Sequence, residues 1–294
     1  MSIKNNLTFV IVTYESDNVI DDCLSSIPNN YPIIVIENSG KKSFQEKIEK
    51  KYPNAKCMVM EKNEGYCIGN NYGIKLSTTK FVFVLNPDAR LKDNALDELD
   101  KVSNEIKHFA ILAPTLIRSD SKVGFGLTTN YGSYKRTSNT TSNFFEVDYI
   151  QGCGLLLDKN ELQNIGFFDE NIFMFFDDHD ICKRVKSTGK KIYVSKKAHY
   201  IHLGAKAVKD EFFNEVEFSR NWHLMWSTFY FNKKHHGYFF ALKKTYKRLI
   251  TSMIKFLFFT LTFNSIKAKI YLMRFSGLYN SIIGKKSWYR IKIK

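Results

Sequence analysis

The chain has 294 residues, of which 44% are hydrophobic and 25% charged, with only 5 Pro and 15 Gly, a composition that excludes a disordered, collagen-like or low-complexity protein and allows a sizeable core. Its formal charge of +15 is unevenly spread: residues 218–294 hold 16 Lys or Arg and no Asp or Glu, against 28 basic and 29 acidic residues elsewhere. The chain length excludes a small disulfide scaffold, and the five cysteines, odd in number and without zinc spacing, read as buried thiols of a reducing compartment.

The only apolar run near the start, Leu7 to Val12, is too short for a signal-peptide core, so export by that route is not expected. Thr8 to Thr13 reads as a strand, followed by a helix opening near Asp17 with Val19, Ile20, Cys23, Leu24 and Ile27 on one face. Ile33 to Ile36, Lys56 to Met60 and Phe81 to Leu85 are further strands, separated by helical stretches around Ser43–Lys51 and Cys67–Leu76, with Asn94–Ile106 following. Runs that are apolar on both faces suit a parallel sheet covered by helices, and right-handed crossovers wind this βα alternation into a nucleotide-binding type of sheet. From Phe109 to about Tyr193 the alternation breaks into Gly-, Ser- and Thr-rich loops, with a flexible acceptor-side loop expected over Gly124–Asn143. After His202 the pattern is helical and aromatic.

In wound sheets ligands sit beyond the carboxyl ends of the strands, and the residues there are polar: Tyr14-Glu15-Ser16, Glu37-Asn38-Ser39-Gly40, Asn63-Glu64-Gly65 and Asn86-Pro87-Asp88. Gly65, Gly69 and Gly73 are spaced neither as a dinucleotide fingerprint nor as a phosphate loop, which disfavours hydride transfer. Asp88, behind Pro87, can hold Mg²⁺ or Mn²⁺ against a diphosphate, because hard cations take oxygen ligands. A second cluster runs from Phe173 through Asp177-Asp178-His179-Asp180 to Val185, crowding three carboxylates into the first turn of a helix. Helix N-termini favour such charge, yet a carboxylate facing a cleft there can also take a proton from an acceptor hydroxyl. His202 follows a run of strand character.

As an ordered set these residues resemble bacterial glycosyltransferase family 2, with the GT-A fold, in its rhamnosyltransferase-like branch. The likeness runs from Leu7 to Gly204, more weakly to about Gly284, and is carried by Val10-Ile11-Val12-Thr13-Tyr14, Glu37-Asn38-Ser39, Asn63-Glu64-Gly65-Tyr66, Gly69-Asn70-Asn71, Leu85-Asn86-Pro87-Asp88, Gly152-Cys153-Gly154, Gly166 to Glu170, Asp177 to Asp180, and His202. The resemblance implies an α/β GT-A catalytic domain over 1–205, with a nucleotide-sugar half to about 110 and an acceptor half over 111–205, and a helical, basic region over 206–294. It implies an inverting, metal-dependent transferase acting in bacterial surface polysaccharide synthesis, with a nucleotide-sugar donor, Mg²⁺ or Mn²⁺, and a glycan or lipid-linked acceptor. Thr13, Glu37, Asn63, Asn70 and Asn86 then bind donor, Asp88 and His202 hold metal, Asp178 is the general base, and Gly152, Asp177 and Asp180 support the acceptor side. Two positions depart from the family pattern: Glu37 stands where Asp is usual, and Asp177-Asp178-His179-Asp180 replaces Glu-Asp-x-Asp. The donor implied is dTDP-L-rhamnose, with UDP-galactofuranose, UDP-GlcNAc or UDP-GalNAc as alternatives. The alternatives of a different class are a nucleotidyltransferase, which would consume NTP, and a nucleic-acid-binding protein, which the basic, aromatic segment 218–294 suggests.

The basic region has two open readings: a surface that meets anionic membrane through residues 218–294, or a helical cap with aromatics as core. Its longest apolar stretch, Leu249 to Phe263, contains Lys255 and is short of the ~20 residues that span a bilayer. It carries no recognised nucleic-acid motif, and no nucleic-acid partner is expected. The location that follows is cytoplasmic, peripheral at the inner face of the plasma membrane.

Overall fold

A computed structural model describes residues 2–106, 108–118, 123–124, 128–129, 132–133, 142–204 and 210–291. The chain divides into two compact units, Met1–Asp169 with Asp178–Val208, and Glu170–Asp177 with Lys209–Lys294.

In the first unit the elements follow as β1 (Leu7–Thr13), α1 (Ile20–Ser25), β2 (Ile33–Glu37), α2 (Lys42–Lys51), β3 (Ala55–Val59), α3 (Tyr66–Leu76), β4 (Phe81–Leu85), β5 (Ala89–Leu91), α4 (Ala95–Ile106) and β6 (Ile111–Arg118). The short strands β7 (Val123–Gly124), β8 (Thr128–Thr129) and β9 (Gly132–Ser133) lead to β10 (Phe144–Val147), β11 (Gly154–Asp158), α5 (Lys159–Leu162), α6 (Asp177–Ser187) and β12 (Ile192–His202). The main sheet runs β10-β12-β6-β11-β4-β1-β2-β3. Strands β1 to β4 are parallel where they pair, and every residue of β1, β2 and β4 is buried, as continuous apolar runs require.

The glycine spacing on α3 has a packing cause. Gly69 and Gly73 lie one turn apart and face Val12 and Val10; a Cβ on Gly73 would collide with Val10 Cγ1, so helix and strand backbones approach closely. The stretch after Phe109 differs from expectation. It holds β6, β10 and β11, which extend the sheet, and β11 lies antiparallel between β4 and β6. These strands were obscured by Pro114 within β6 and by Gly152 and Gly154 where β11 begins. Of the expected loop over Gly124–Asn143, most lies outside the described residues.

The second unit is helical, with α7 (Phe213–His236), α8 (Tyr238–Leu261) and α9 (Ser265–Ile282), and α9 packs against both others. Met225, Phe229, Ala241 and Leu278 form its core. Trp222 is fully buried and donates from Nε1 to Ser276 Oγ at 3.2 Å, and Gly277 lets the α9 backbone pass the Trp222 carbonyl, which any Cβ would strike. His223 is also fully buried, with Nε2 2.9 Å from the Tyr289 carbonyl and Nδ1 3.0 Å from Ser287 Oγ. Burial pushes its pKa down to about 3, so it stays neutral. One face of α8 is unpartnered within this unit: Ile250, Ile254, Leu257, Phe258 and Leu261 recur at helical spacing and are exposed, with Phe263 beyond them 94% exposed. Among the described residues no helix is long and apolar enough to cross a membrane.

Candidate functional site

The carboxyl ends of β4, β11 and β12 meet because of their registers. Leu85 pairs with Gly154, and one step on the Asn86 N–H donates to the Cys153 carbonyl at 3.0 Å. The chain then turns through Pro87 and Asp88 into β5, whose Ala89 pairs antiparallel with His202, while the Leu203 N–H donates to the Asp88 carbonyl at 3.0 Å. That short ladder sets His202 Nε2 3.1 Å from Asp88 Oδ1. Asp88 is buried. Burial alone would push the imidazole's pKa down, but Cys153 and the Asp88 carboxylate beside it raise it to about 10.

Asn86 completes this cluster. Its Nδ2 lies 3.4 Å from His202 Nε2, and its Oδ1 is buried with no hydrogen-bond partner. An Nε2 that donates to Asp88 cannot also accept from an amide, so whichever way the Asn86 amide is turned one polar atom is left over. Among the described residues no three His, Cys, Asp or Glu side chains converge on one point. Asp88 supplies an oxygen, His202 a nitrogen once a cation displaces its Nε2 proton, and the Asn86 amide oxygen can supply a third donor. Such a set fits a hard divalent cation that completes its shell with phosphate and water.

The other residues expected on the donor side are Thr13 and Glu37 at the carboxyl ends of β1 and β2, Asn63 in the loop after β3, and Asn70 on α3. Thr13 is buried, with Oγ1 3.4 Å from the Ile36 carbonyl. Glu37 is buried and caps its own loop, its two oxygens accepting from the Ser39 N–H at 2.8 Å and the Lys41 N–H at 2.9 Å. Asn63 Oδ1 accepts from the Gly65 N–H at 3.1 Å. Asn70 is fully buried; its Nδ2 donates to the Tyr66 carbonyl at 2.9 Å and its Oδ1 has no partner.

At the head of α6, Asp178 is tied to the segment leading into β11. Its Oδ2 accepts from the Tyr149 hydroxyl at 2.7 Å and the Gly152 N–H at 3.3 Å; its Oδ1 accepts from the His179 backbone N–H and lies 2.8 Å from His179 Nδ1. A ring nitrogen facing a carboxylate must carry its proton. Burial favours the neutral acid, but the bonds from His179 and Tyr149 outweigh it and hold the Asp178 carboxyl below the ordinary carboxylate range. Gly152 also accepts from the Tyr66 hydroxyl at 2.7 Å, so Tyr149–Cys153 connects the Asp178 end with the Asp88 end.

The three clustered carboxylates do different things. Asp177 opens α6 and is half-buried. Asp180 is fully buried and accepts from Arg184 Nε at 2.7 Å, while Arg184 also donates to the carbonyls of Ile165, Gly166 and Phe167. Asp180 therefore staples a turn. The i, i+4 spacing of Asp180 and Arg184 is a signal the sequence offered. Tyr149 had no such signal. The cysteines need one correction: four are buried as expected, but Cys153 is half-buried beside His202, because it sits at the strand end where the sheet opens.

The family model described as glycosyl transferase family 2 matches residues 8–163, more than half of the chain. Of the curated relatives, the low-salt glycan biosynthesis hexosyltransferase Agl10 of Haloferax volcanii is 23% identical over 196 residues, 63% of each chain. The minor teichoic acid biosynthesis protein GgaB of Bacillus subtilis is 22% identical over 234 residues, 75% of this chain and 25% of its own. The chain thus spans less than two thirds of the length of either relative. A crystal structure of GalNAc-T7 with UDP, GalNAc and Mn²⁺ superposes with a TM-score of 0.56 at 14% identity, covering 67% of this chain and 43% of that one. At that identity the likeness speaks for the fold alone, and the fold is the GT-A arrangement of a central sheet flanked by helices.

Proposed function

The chain belongs to glycosyl transferase family 2, and from that premise we propose that it moves a sugar, with inversion, from a nucleoside diphosphate onto a hydroxyl of a glycan or lipid-linked acceptor in surface polysaccharide synthesis. The observation that carries this reading is the convergence of Asn86, Asp88 and His202 at one sheet edge, joined through Tyr149–Cys153 to an ionised Asp178.

Asp88 and His202, with the Asn86 amide oxygen, are the residues to hold Mg²⁺ or Mn²⁺, which when bound supplies positive charge against the diphosphate. GalNAc-T7 carries Mn²⁺ with UDP in its own structure. Thr13, Glu37, Asn63 and Asn70 flank the donor, Glu37 by fixing the loop after β2 and Asn70 with an unsatisfied amide oxygen. Asp178, ionised well into acid, takes the proton of the attacking hydroxyl. Gly152 and Asp180 shape its surroundings, and Asp177 opens the helix that bears it. The donor proposed is dTDP-L-rhamnose, with UDP-galactofuranose, UDP-GlcNAc and UDP-GalNAc as the other candidates.

We further propose peripheral contact with the anionic inner face of a plasma membrane through residues 218–294. The exposed stripe Ile250, Ile254, Leu257, Phe258 and Leu261 supports it, on a segment with 16 basic and no acidic residues. Each Lys or Arg near such a surface contributes about 1 kcal/mol. Sedimentation with vesicles containing phosphatidylglycerol should be lost at high salt and in Leu257→Ser/Leu261→Ser; equal sedimentation with neutral vesicles, or unchanged binding of the double variant, contradicts it.

The activity is tested by nucleoside diphosphate release from those four donors with a bacterial lipid extract, in Mg²⁺ or Mn²⁺ and then with chelator. Release from one donor that stops with chelator is expected. Release from none, with NTP consumed instead, favours a nucleotidyltransferase.

A further inference from the structure

The Asp178 carboxylate is filled. Its Oδ1 takes two donors from His179 and its Oδ2 takes the Tyr149 hydroxyl and the Gly152 N–H. A carboxylate has room for about four hydrogen bonds, so a sugar hydroxyl can reach it only by displacing a donor. The donors on Oδ1 belong to the neighbouring residue of the same helix and move with Asp178. Those on Oδ2 come from a separate segment, 29 and 26 residues away in sequence. Of these the Gly152 N–H is fixed by the backbone, whereas the Tyr149 hydroxyl can rotate about its own C–O bond without moving the ring.

We propose that Tyr149 is a positioning residue for sugar transfer: its hydroxyl holds Asp178 Oδ2 at the place an acceptor hydroxyl takes, and gives way when the acceptor binds. This rests on the reading of Asp178 as the base. In the step that follows, the acceptor proton passes to Oδ2 and the acceptor oxygen bonds to the anomeric carbon. The bond from that carbon to the diphosphate breaks, and its electron pair leaves on the nucleoside diphosphate. Tyr149 keeps its proton throughout.

Among the described residues these groups face Asp178 or stand beside it. His179 faces it from α6 and Tyr149 from the segment before β11, while Asp180 is turned to Arg184. Tyr149 is itself buried, its ring 4.3 Å from that of His179, so Tyr149→Phe removes the hydroxyl and leaves the ring contact. With one donor gone and burial unchanged, the carboxylate becomes more basic and less strictly oriented.

The test is a ¹³C NMR titration of the full chain labelled at Asp Cγ, with Asp178→Asn identifying the resonance. Wild-type Asp178 should titrate below the ordinary carboxylate range, and Tyr149→Phe should raise its midpoint by about one pH unit or more. The acid limb of kcat/KM for diphosphate release should move with it, while the dissociation constant for the nucleotide stays put. An unmoved midpoint in folded Tyr149→Phe overturns the proposal. Should that variant not fold, 3-fluorotyrosine incorporation makes the hydroxyl a stronger donor and should lower the midpoint; no change overturns the proposal equally. Full diphosphate release by Asp178→Asn, alongside a shifted midpoint in Tyr149→Phe, overturns it by a different route, because the base reading has then failed.

Discussion

At the Asp88 end of the site a buried amide oxygen of Asn86 has no partner, whereas at the Asp178 end every acceptor position of the carboxylate is taken. Both ends lie at the head of the same sheet, and both are built from residues distant in sequence. An unfilled polar group in low dielectric costs about 1–3 kcal/mol, so the first end gains when a ligand completes it. The second gains nothing from a ligand unless something yields. Under the proposed function that difference separates a binding site from a reacting group: one end is pre-shaped to capture, and the other is held in orientation until the acceptor competes for it.

Asp178→Asn should have the largest effect. General-base help is typically worth ~10²–10⁴-fold, so kcat for diphosphate release should fall by about that factor; a fall of less than tenfold contradicts the role. Two residues along the same helix, Asp180→Asn should do the opposite. It breaks a buried pair with Arg184 and should lower stability by about 3–5 kcal/mol in denaturant melts, with kcat per folded molecule kept. If Asp180→Asn instead lost rate without stability, the division of labour within the carboxylate cluster would be wrong.

The second unit offers a smaller effect of the same kind. His223 has both nitrogens filled and a pKa pushed down to about 3 from the ordinary 6.5. Between those values the unfolded chain binds a proton that the folded chain refuses. Stability is therefore fully present above about 6.5 and lost as the pH falls through that window, by about 1.4 kcal/mol per unit. Thermal melts of His223→Gln should be flatter in pH than wild type below 6.5. Parallel curves would show that this histidine does not set the acid sensitivity.

How much of this was legible before the structure depends on the range of the interactions. Strands β1, β2 and β4 were readable because each is apolar on both faces and bounded by polar turns, a local pattern. Asn86, Asp88 and His202 were readable as residue types at strand ends, but not their meeting. Asp88 and His202 are 114 residues apart, and the three-residue strand Ala89–Leu91 that joins them has no alternation to detect. Glu37 was visible as a carboxylate after a strand, yet nothing local said that it would cap its own loop. The filling of Asp178 was not legible at all, since Tyr149 stands in no motif and reaches it only through the fold. Strand β11 was hidden because Gly152 and Gly154 interrupt the pattern where it begins, and the segment leading into it brings Gly152 and Cys153 to the site.

If capture and reaction reside at different ends of the site, calorimetric titration of Mn²⁺ with UDP or dTDP into wild type, Asp88→Ala and Asp178→Asn tells the two ends apart. Binding about 10–100-fold weaker in Asp88→Ala and unchanged in Asp178→Asn is the predicted result; equal loss in both variants, or no loss in Asp88→Ala, would contradict it.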